Sequence, residues 1–217
     1  MLTYVKIFGY LIIFSLIYSK SEIQFSANIL ENLVEEDIEK RIFRDDVVIK
    51  KDDMTLFTDE AIYIPSESKV ILSKDVRMYD QLDSLKCDNL ILYDLGYKEF
   101  NALGNVKFYK NSQIIKSEHM ELLENPSINI TKINLYNNAQ LVDSNRTVSG
   151  DTLYISYVDS LVNKMQIISN AKVLNYRYGR YDKNKKHQKI QDQISSKKMF
   201  INFNDGAVNE MILSGMA

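Results

Sequence analysis

The sequence predicts an all-β protein whose short strands stack as about five rungs of a solenoid or flattened roll with an open end. Three observations over the 217 residues predict this class. A short marker recurs along the chain, apolar and polar residues alternate after each copy, and Tyr (14) and Phe (9) stand beside many Ile and Val. Helical periodicity is confined to residues 29–42, where a run of acidic residues favours a solvated loop or an edge strand.

The first marker is a polar residue followed by an alternating apolar strand. Its copies are separated by 29, 30, 33 and 32 residues, and residues 214–217 match the start of a sixth copy. The copies are Asp46-Val47-Val48-Ile49, Asp75-Val76-Arg77-Met78, Asn105-Val106-Lys107-Phe108, Asn138-Ala139-Gln140-Leu141 and Asn170-Ala171-Lys172-Val173. A period near thirty residues indicates a repeat architecture, in which one unit cannot bury its apolar face alone.

A second marker follows the first at about a dozen residues. Its copies begin at Thr58, Cys87, Ser117, Gly150 and, more loosely, Ser196. Alignment of the copies predicts three short strands per repeat, each contributing two apolar columns to a shared interior. Each deeply buried apolar side chain contributes roughly 1.5–3 kcal/mol, so some thirty column positions are enough for a stable single domain.

Residues 1–21 have the pattern of an export signal. Lys6 precedes an apolar run from Ile7 to Tyr18, and the small residues Ser19 and Ser21 follow. This pattern is typical of a secretory signal peptide cleaved after Ser21, with an uncleaved membrane anchor as the alternative. Residues 22–217 are then expected to work outside the cytoplasm as one domain, which either continues beyond residue 217 in a longer protein or pairs edge to edge.

The composition leaves little material for common catalytic sites. The chain has one cysteine, two histidines and seven widely spaced glycines, which excludes a disulfide framework, a multi-cysteine metal site and glycine-rich phosphate loops. The formal charge of −2 gives no general reason to expect nucleic-acid binding. We therefore predict a protein that is not an enzyme, without catalytic residues, metal or cofactor. An enzyme that cleaves glycans would instead need three or more carboxylates converging on one face.

The ordered recurrence of these markers resembles the OstA-like family, the LptA-like periplasmic proteins of lipopolysaccharide transport and the N-terminal domains of their outer-membrane partners. The residues that carry the resemblance are Leu103-Gly104-Asn105-Val106, Thr58-Asp59-Glu60-Ala61-Ile62-Tyr63 and Gly150-Asp151-Thr152-Leu153-Tyr154, with a similar C-terminal run at 201–217. The resemblance covers about residues 26–217. The glycine of the motif is Asp45, Lys74, Asn137 and Ser169 in the other copies.

The resemblance implies an antiparallel β-roll, or β-jellyroll, that carries lipopolysaccharide between the inner and outer membranes. The apolar interior would hold the acyl chains of lipid A, and exposed edge strands would pair with other OstA-like or Lpt envelope proteins or with a second copy. It implies a periplasmic location, anchored by the N-terminal segment or associated with the outer membrane. The candidate lipid-binding residues are interior column positions: Ile49, Val76, Met78, Leu92, Phe100, Val106, Phe108, Met120, Leu122, Leu141, Leu153 and Ile155.

Two further interpretations stay open from the residues alone. The columns are also typical of a sealed core, which would make the protein a structural or adhesive extracellular solenoid. An open cleft would favour transport, and a closed, densely packed interior would favour a scaffold. The segment Tyr176–Lys189 interleaves basic and aromatic residues, a pattern typical of a solvated insertion or of a site for anionic head groups.

Overall fold

The protein is all-β, with its strands in one antiparallel sheet that does not close into a barrel. The computed structural model describes residues 23–81, 83–93, 99–178 and 189–215. The strands are β1 (Gln24–Ser26), β2 (Ile29–Glu35), β3 (Ile38–Lys51), β4 (Met54–Ile64), β5 (Lys69–Asp80), β6 (Asp83–Leu92), β7 (Glu99–Lys110), β8 (Gln113–Asn125), β9 (Ile130–Val142), β10 (Arg146–Val158), β11 (Leu161–Tyr178), β12 (Lys189–Asn204) and β13 (Ala207–Ser214). Short 3-10 turns at Pro65–Glu67 and Pro126–Ile128 join β4 to β5 and β8 to β9.

The sheet is a meander in which each strand from β3 to β13 pairs with its neighbours in the chain. β1 and β2 both pair with β3, through residues 48–50 and 38–44 respectively. Between them, the backbone amide of Asn28 donates to the carbonyl oxygen of Asp45 at 3.0 Å. β1 and β2 therefore act as the two halves of one edge strand that is interrupted beside β3.

The first marker is the point at which every odd-numbered strand from β3 to β11 turns a corner. At each corner two successive residues adopt a left-handed backbone, and the pairing register with the next strand shifts. The pairs are Asp45–Asp46, Lys74–Asp75, Gly104–Asn105, Asn137–Asn138 and Ser169–Asn170. Asn, Asp and Gly accept this conformation at low cost, which explains why Asp45 and Asn137 can replace the glycine of the motif.

The second marker lies on the even-numbered strands directly beside these corners. Thr58, Ser117 and Ser196 are buried there, and each is a small residue. At the equivalent Gly150, an added Cβ would lie 2.5 Å from Cγ2 of Ile167. Amides from the corners bind acids of the second marker: Asn105 donates to Asp88 at 2.9 Å and Asn170 donates to Asp151 at 3.0 Å. The two markers are thus two sides of one bend.

The bends divide the sheet into two arms. Arm A contains the half-strands that end at the hairpin turns near Asp52, Gln81, Asn111 and Asp143, together with residues 171–178 of β11 and 189–195 of β12. Arm B contains those that end near Pro65, Tyr93, Pro126, Asp159 and Asp205. Side chains on one face of each arm are almost fully inaccessible although the described strands belong to one sheet. The two arms therefore fold against each other and form the core between them.

Each repeat contains two long bent strands, or four half-strands, where the sequence predicted three short ones. The half-strand missed lies just before the second marker. Its inward residues complete a row of arm A: Leu56, Leu85, Ile115, Val148 and Ile194. The difference arises because the marker has the pattern of a strand start, whereas it lies at the bend in the middle of a strand.

The predicted export signal at residues 1–21 and most of the basic segment 176–189 lie outside the described residues. Strands β11 and β12 pair from Lys164 to Tyr178, so the sheet extends into the region that the sequence marks as an insertion. Within the described ranges, no helix has the length and apolar character needed to cross a membrane.

Candidate functional site

The candidate site is the interior between arms A and B. All twelve residues predicted to bind lipid lie there, and each has at most 2% of its surface exposed. Their alternation with exposed neighbours places them on the concave face of the sheet, as in β7, where Val106 and Phe108 are buried beside exposed Lys107 and Tyr109. The structure therefore brings the predicted residues together in one apolar interior.

The interior is organised as rows that cross the strands. In arm A, Ile49 pairs with Leu56, Leu56 with Met78, and Met78 with Leu85. The same row continues through Phe108, Ile115, Leu141, Val148, Val173 and Ile194. Five members of this row were absent from the predicted columns, although the residue two positions before each second marker is apolar in every copy. That fixed offset is the signal that would have found them.

Side chains from the two arms meet across the interior. They also meet at its mouth, the side opposite the bends, where the turn tips at Asn111 and Ser160 face each other. The rings of Phe100 in arm B and Phe108 in arm A lie edge to face, with centroids 6.4 Å apart. At the mouth the hydroxyl of Tyr157 donates to Oε1 of Gln113 at 2.9 Å. Burial raises the pKa of Tyr157 well above its usual range. Since these residues belong to opposite arms, their contacts hold the roll closed in this structure.

The mouth also carries a half-buried ion pair. Nζ of Lys110 lies 2.7 Å from Oδ2 of Asp83, and both side chains are largely inaccessible. The same ammonium group lies 6.0 Å from the centre of the Phe108 ring. Burial, followed by repulsion from Asp83 and Asp53, raises the pKa of nearby Asp80. Polar groups thus seal the edge of an apolar interior.

The interior offers few groups for acid–base or nucleophilic chemistry. The hydroxyl groups of Thr58 and Ser196 donate to backbone carbonyls at the bend, at 2.7 Å each. Cys87 is buried at the equivalent position of β6, and desolvation raises the pKa of its thiol to about 12, which disfavours the nucleophilic thiolate. In the part of the chain that the structure describes, no group of three His, Cys, Asp or Glu side chains is arranged to hold a metal ion.

The interior rows become accessible only where the described sheet ends. At the C-terminal end of the sheet, Leu213 on β13 is 49% exposed and Ile194 on β12 is 39% exposed, although both continue rows that are inaccessible further in. At the β1–β2 edge, Leu30 pairs with Phe43 and is 58% exposed. The ring of Phe25 stacks on Phe43 at 4.6 Å and partly covers this end. Apolar surface therefore emerges at both edge strands.

His119 lies on the outer face of arm B. Its ring is 5.0 Å from that of Tyr136, and its Nε2 atom is 3.8 Å from Glu121. The Tyr136 hydroxyl donates to Glu121, and desolvation together with this contact raises the pKa of Tyr136 to about 12. These side chains form a polar and aromatic surface cluster that is separated from the interior by the sheet.

Comparison with solved structures shows a likeness to a periplasmic protein. The chain is similar to LptH from Pseudomonas aeruginosa, described as the LptA-homologous periplasmic component of the lipopolysaccharide transport device, at 12% sequence identity and a TM-score of 0.26. The match covers 66% of this chain and 82% of that one. No family model and no curated protein matches the chain. The strand pairing and the burial of side chains define the fold of this chain. The likeness to LptH does not bear on its function.

The geometry of the interior suits apolar ligands. Burial of a hydrocarbon chain contributes about 0.8 kcal/mol per CH₂ group, and rows of Met, Leu and Phe side chains present the surface for it. Met78 and Met120 have unbranched, adaptable side chains that fit irregular partners. In the closed conformation these surfaces contact one another, so a ligand must replace contacts between the arms.

Proposed function

We propose that this protein is an exported, non-enzymatic lipid-binding β-roll that carries lipopolysaccharide between the inner and outer membranes. Supporting the proposal is the single apolar interior that runs from one edge strand to the other between two arms joined along a line of bends. Acyl chains would enter between the arms, and the twelve candidate residues with the further arm A row would contact them. The resemblance of the two markers to the OstA-like family is consistent with this use.

Entry of a lipid requires the arms to separate. The contacts that hold the mouth closed include the Tyr157–Gln113 hydrogen bond and the 3.4 Å hydrogen bond from Asn111 to the carbonyl oxygen of Ser160. Separation would expose the packed rows, and contacts with the acyl chains would offset that cost. The closed structure would then be the lipid-free conformation.

Partner association is proposed to use the two edge strands. β13 has one unpaired edge in the described sheet, and β1 with β2 forms the other. An unpaired strand edge accepts another strand by main-chain hydrogen bonding. Pairing with another envelope protein, or with a second copy, would join two interiors end to end and cover Leu213 and Leu30.

A photo-crosslinking experiment tests the lipid-binding proposal. Phe203 and Phe200 lie on the same strand, but Phe203 is buried against the core while Phe200 is exposed on the outer face. A benzoylphenylalanine in place of Phe203 is expected to crosslink to labelled lipid A in a saturable manner, and the same group in place of Phe200 is not. Equal crosslinking at both positions, or no saturable uptake by the purified protein, would refute lipid carriage.

The closed packing supports a second candidate function, a structural or adhesive extracellular solenoid. Each of the twelve candidate residues is inaccessible in this structure, as expected for a sealed core. This candidate predicts no saturable uptake of lipid A and no crosslink at Phe203. The same experiment therefore decides between the two.

A further inference from the structure

The outer face of arm A carries a row of basic residues that only the pairing register brings together. Arg77 pairs with Lys86, Lys86 with Lys107, and Lys107 with Lys116, on the four adjacent strands β5 to β8. We call Arg77, Lys86, Lys107 and Lys116 the basic ladder. With strands about 4.8 Å apart, the ladder spans about 14 Å.

The ladder projects away from the interior. Each of its four residues is exposed, and each is flanked along its strand by buried residues, such as Val106 and Phe108 on either side of Lys107. Directly opposed like charges on neighbouring strands destabilise a sheet. Four successive cations are therefore expected to lower the stability of the sheet. This indicates that they are present to bind a ligand and not to stabilise the fold.

The lysines of the ladder have no acidic partner in the described chain. Arg77 lies 3.3 Å from Asp75, but Lys86, Lys107 and Lys116 form no ion pair there. Asp88 and Glu118 stand two residues nearer the bend, on the strands of Lys86 and Lys116, and Asp88 accepts the amide of Asn105. The positive charge of the ladder is thus left for a ligand.

A second row of aromatic and aliphatic residues runs beside the ladder on the side away from the bend. In this row Tyr79 pairs with Ser84, Ser84 with Tyr109, and Tyr109 with Ile114. Tyr79 and Tyr109 are 45% and 38% exposed. Beyond Ile114 the row continues through Val142, Thr147 and Leu174, all of them half-buried.

We infer that the basic ladder and its tyrosine row form a docking surface for the headgroup region of an anionic phospholipid membrane. Lys and Arg are attracted to anionic headgroups, and Tyr rings with aliphatic neighbours fit the interface between headgroups and acyl chains. Single-stranded nucleic acid binds best where aromatic rings follow one another, because successive bases stack on them. In this row the residues after Tyr109 are mainly aliphatic. The inference concerns the outer face and does not depend on lipid carriage by the interior.

Vesicle partitioning of the full chain tests the inference. The wild type is expected to prefer vesicles containing one-third phosphatidylglycerol over vesicles of phosphatidylcholine alone, and added salt is expected to weaken the preference. Each basic residue near an anionic surface contributes about fivefold in affinity. The triple variant Lys86→Gln, Lys107→Gln and Lys116→Gln should therefore lose about 100-fold of the preference, and the single variant Lys107→Gln about fivefold.

A matched control distinguishes the effect of the ladder on vesicle preference from the effect of net charge. Lys132→Gln, Lys164→Gln and Lys198→Gln change the charge equally on the outer face of arm B, where all three lysines are exposed. This control is expected to keep the wild-type preference. The ladder variant should unfold at the same or a higher urea concentration, since it relieves repulsion between strands.

Several results would overturn the inference. They are a wild type without preference for anionic vesicles, a ladder variant that keeps the preference, and a control that loses it equally. Tighter binding of the wild type to a single-stranded oligonucleotide than to anionic vesicles, lost in the ladder variant, would assign the surface to nucleic acid instead. Attachment through the N-terminal segment is common to the wild type, the ladder variant and the control, so it does not account for a difference among them.

Discussion

The bend in each strand depends on individual residues that accept a left-handed backbone. Asn137 and Asn138 have φ of 61° and 55°, and Gly104 has φ of 75°. L-residues with a Cβ pay about 1–2 kcal/mol for this conformation, and Asn, Asp and Gly pay least. The marker coincides with all five corners, but the sequence predicted a strand start there and not a left-handed bend, because Lys74 and Ser169 occupy this conformation without being typical of it.

Replacement of Asn137 tests the corner. Asn137→Val should lower the free energy of unfolding by about 2 kcal/mol, because a β-branched side chain is strained at positive φ. Asn137→Gly, the matched control, should change it by less than about 0.5 kcal/mol. Urea unfolding of both variants measures the difference. Equal stability of the two would show that the left-handed corner is not a requirement of the fold.

Burial of Cys87 sets the reactivity of its thiol. Because desolvation raises the pKa to about 12 from a usual value of 9.0, the folded protein keeps the proton where the unfolded chain releases it. The stability from this group is therefore fully present below pH 9 and declines as the pH rises toward about 12. At pH 8 a disulfide reagent should label the folded protein at least about 100-fold more slowly than the urea-unfolded chain. Comparable rates in the two states would contradict the burial of Cys87.

At the scale of the element, the arm A half-strand that was not predicted from the sequence contributes core residues as fully buried as those of the predicted strands. Leu85 and Ile115 are fully inaccessible, as are Met78 and Phe108 beside them. Alternation within one strand was recognisable from the sequence. The joining of two half-strands through a bend was not, because the apolar pattern breaks at the corner. The basic ladder could not be predicted either, since its register depends on turn lengths.

Two adjacent isoleucines of β8 test the assigned faces. Ile115→Ala should lower the free energy of unfolding by about 2–5 kcal/mol, because it leaves a cavity in the core. Ile114→Ala, on the outer face and half-buried, should cost about 1 kcal/mol or less. Urea unfolding gives both values. A reversed order would mean that β8 is turned over relative to this structure.

The β13 edge offers a test of the proposed strand pairing. Leu213 is half-exposed in line with the core residue Met199. If copies associate through this edge, Leu213→Asp should shift sedimentation toward the monomer without lowering stability. Leu123→Asp, with similar exposure on the outer face of the central strand β8, serves as a control. If Leu213→Asp leaves the association state unchanged, this edge does not mediate self-association.

At the scale of the whole molecule, the two arms form an apolar interior that is closed in this structure. The stacked interior was predicted from the repeat, because columns of apolar residues need a common core. Whether the interior is open or closed could not be predicted, since closure depends on contacts between residues far apart in the chain. Tyr157 and Gln113 are such a pair, 44 residues apart.

Whether the closed arms can separate distinguishes the two candidate functions, transport and scaffolding. A scaffold requires the arms to stay together, whereas a carrier requires them to part. Within the described ranges the chain passes from one arm to the other at the bends. The turn tips at Asn111 and Ser160 lie on opposite sides of the mouth, joined by a hydrogen bond of 3.4 Å. Both turn tips are exposed, so they accept a crosslink without entering the core.

The most direct measurement is lipid uptake by a protein whose arms are crosslinked. Asn111→Cys with Ser160→Cys, in a Cys87→Ala background and joined by a short bis-maleimide, holds arm A to arm B. Asp53→Cys with Gln81→Cys, from side chains 3.1 Å apart, places an equivalent link within arm A. Saturable uptake of labelled lipid A should disappear with the first link and persist with the second. Unchanged uptake with the arms linked would contradict an interior that opens to receive acyl chains.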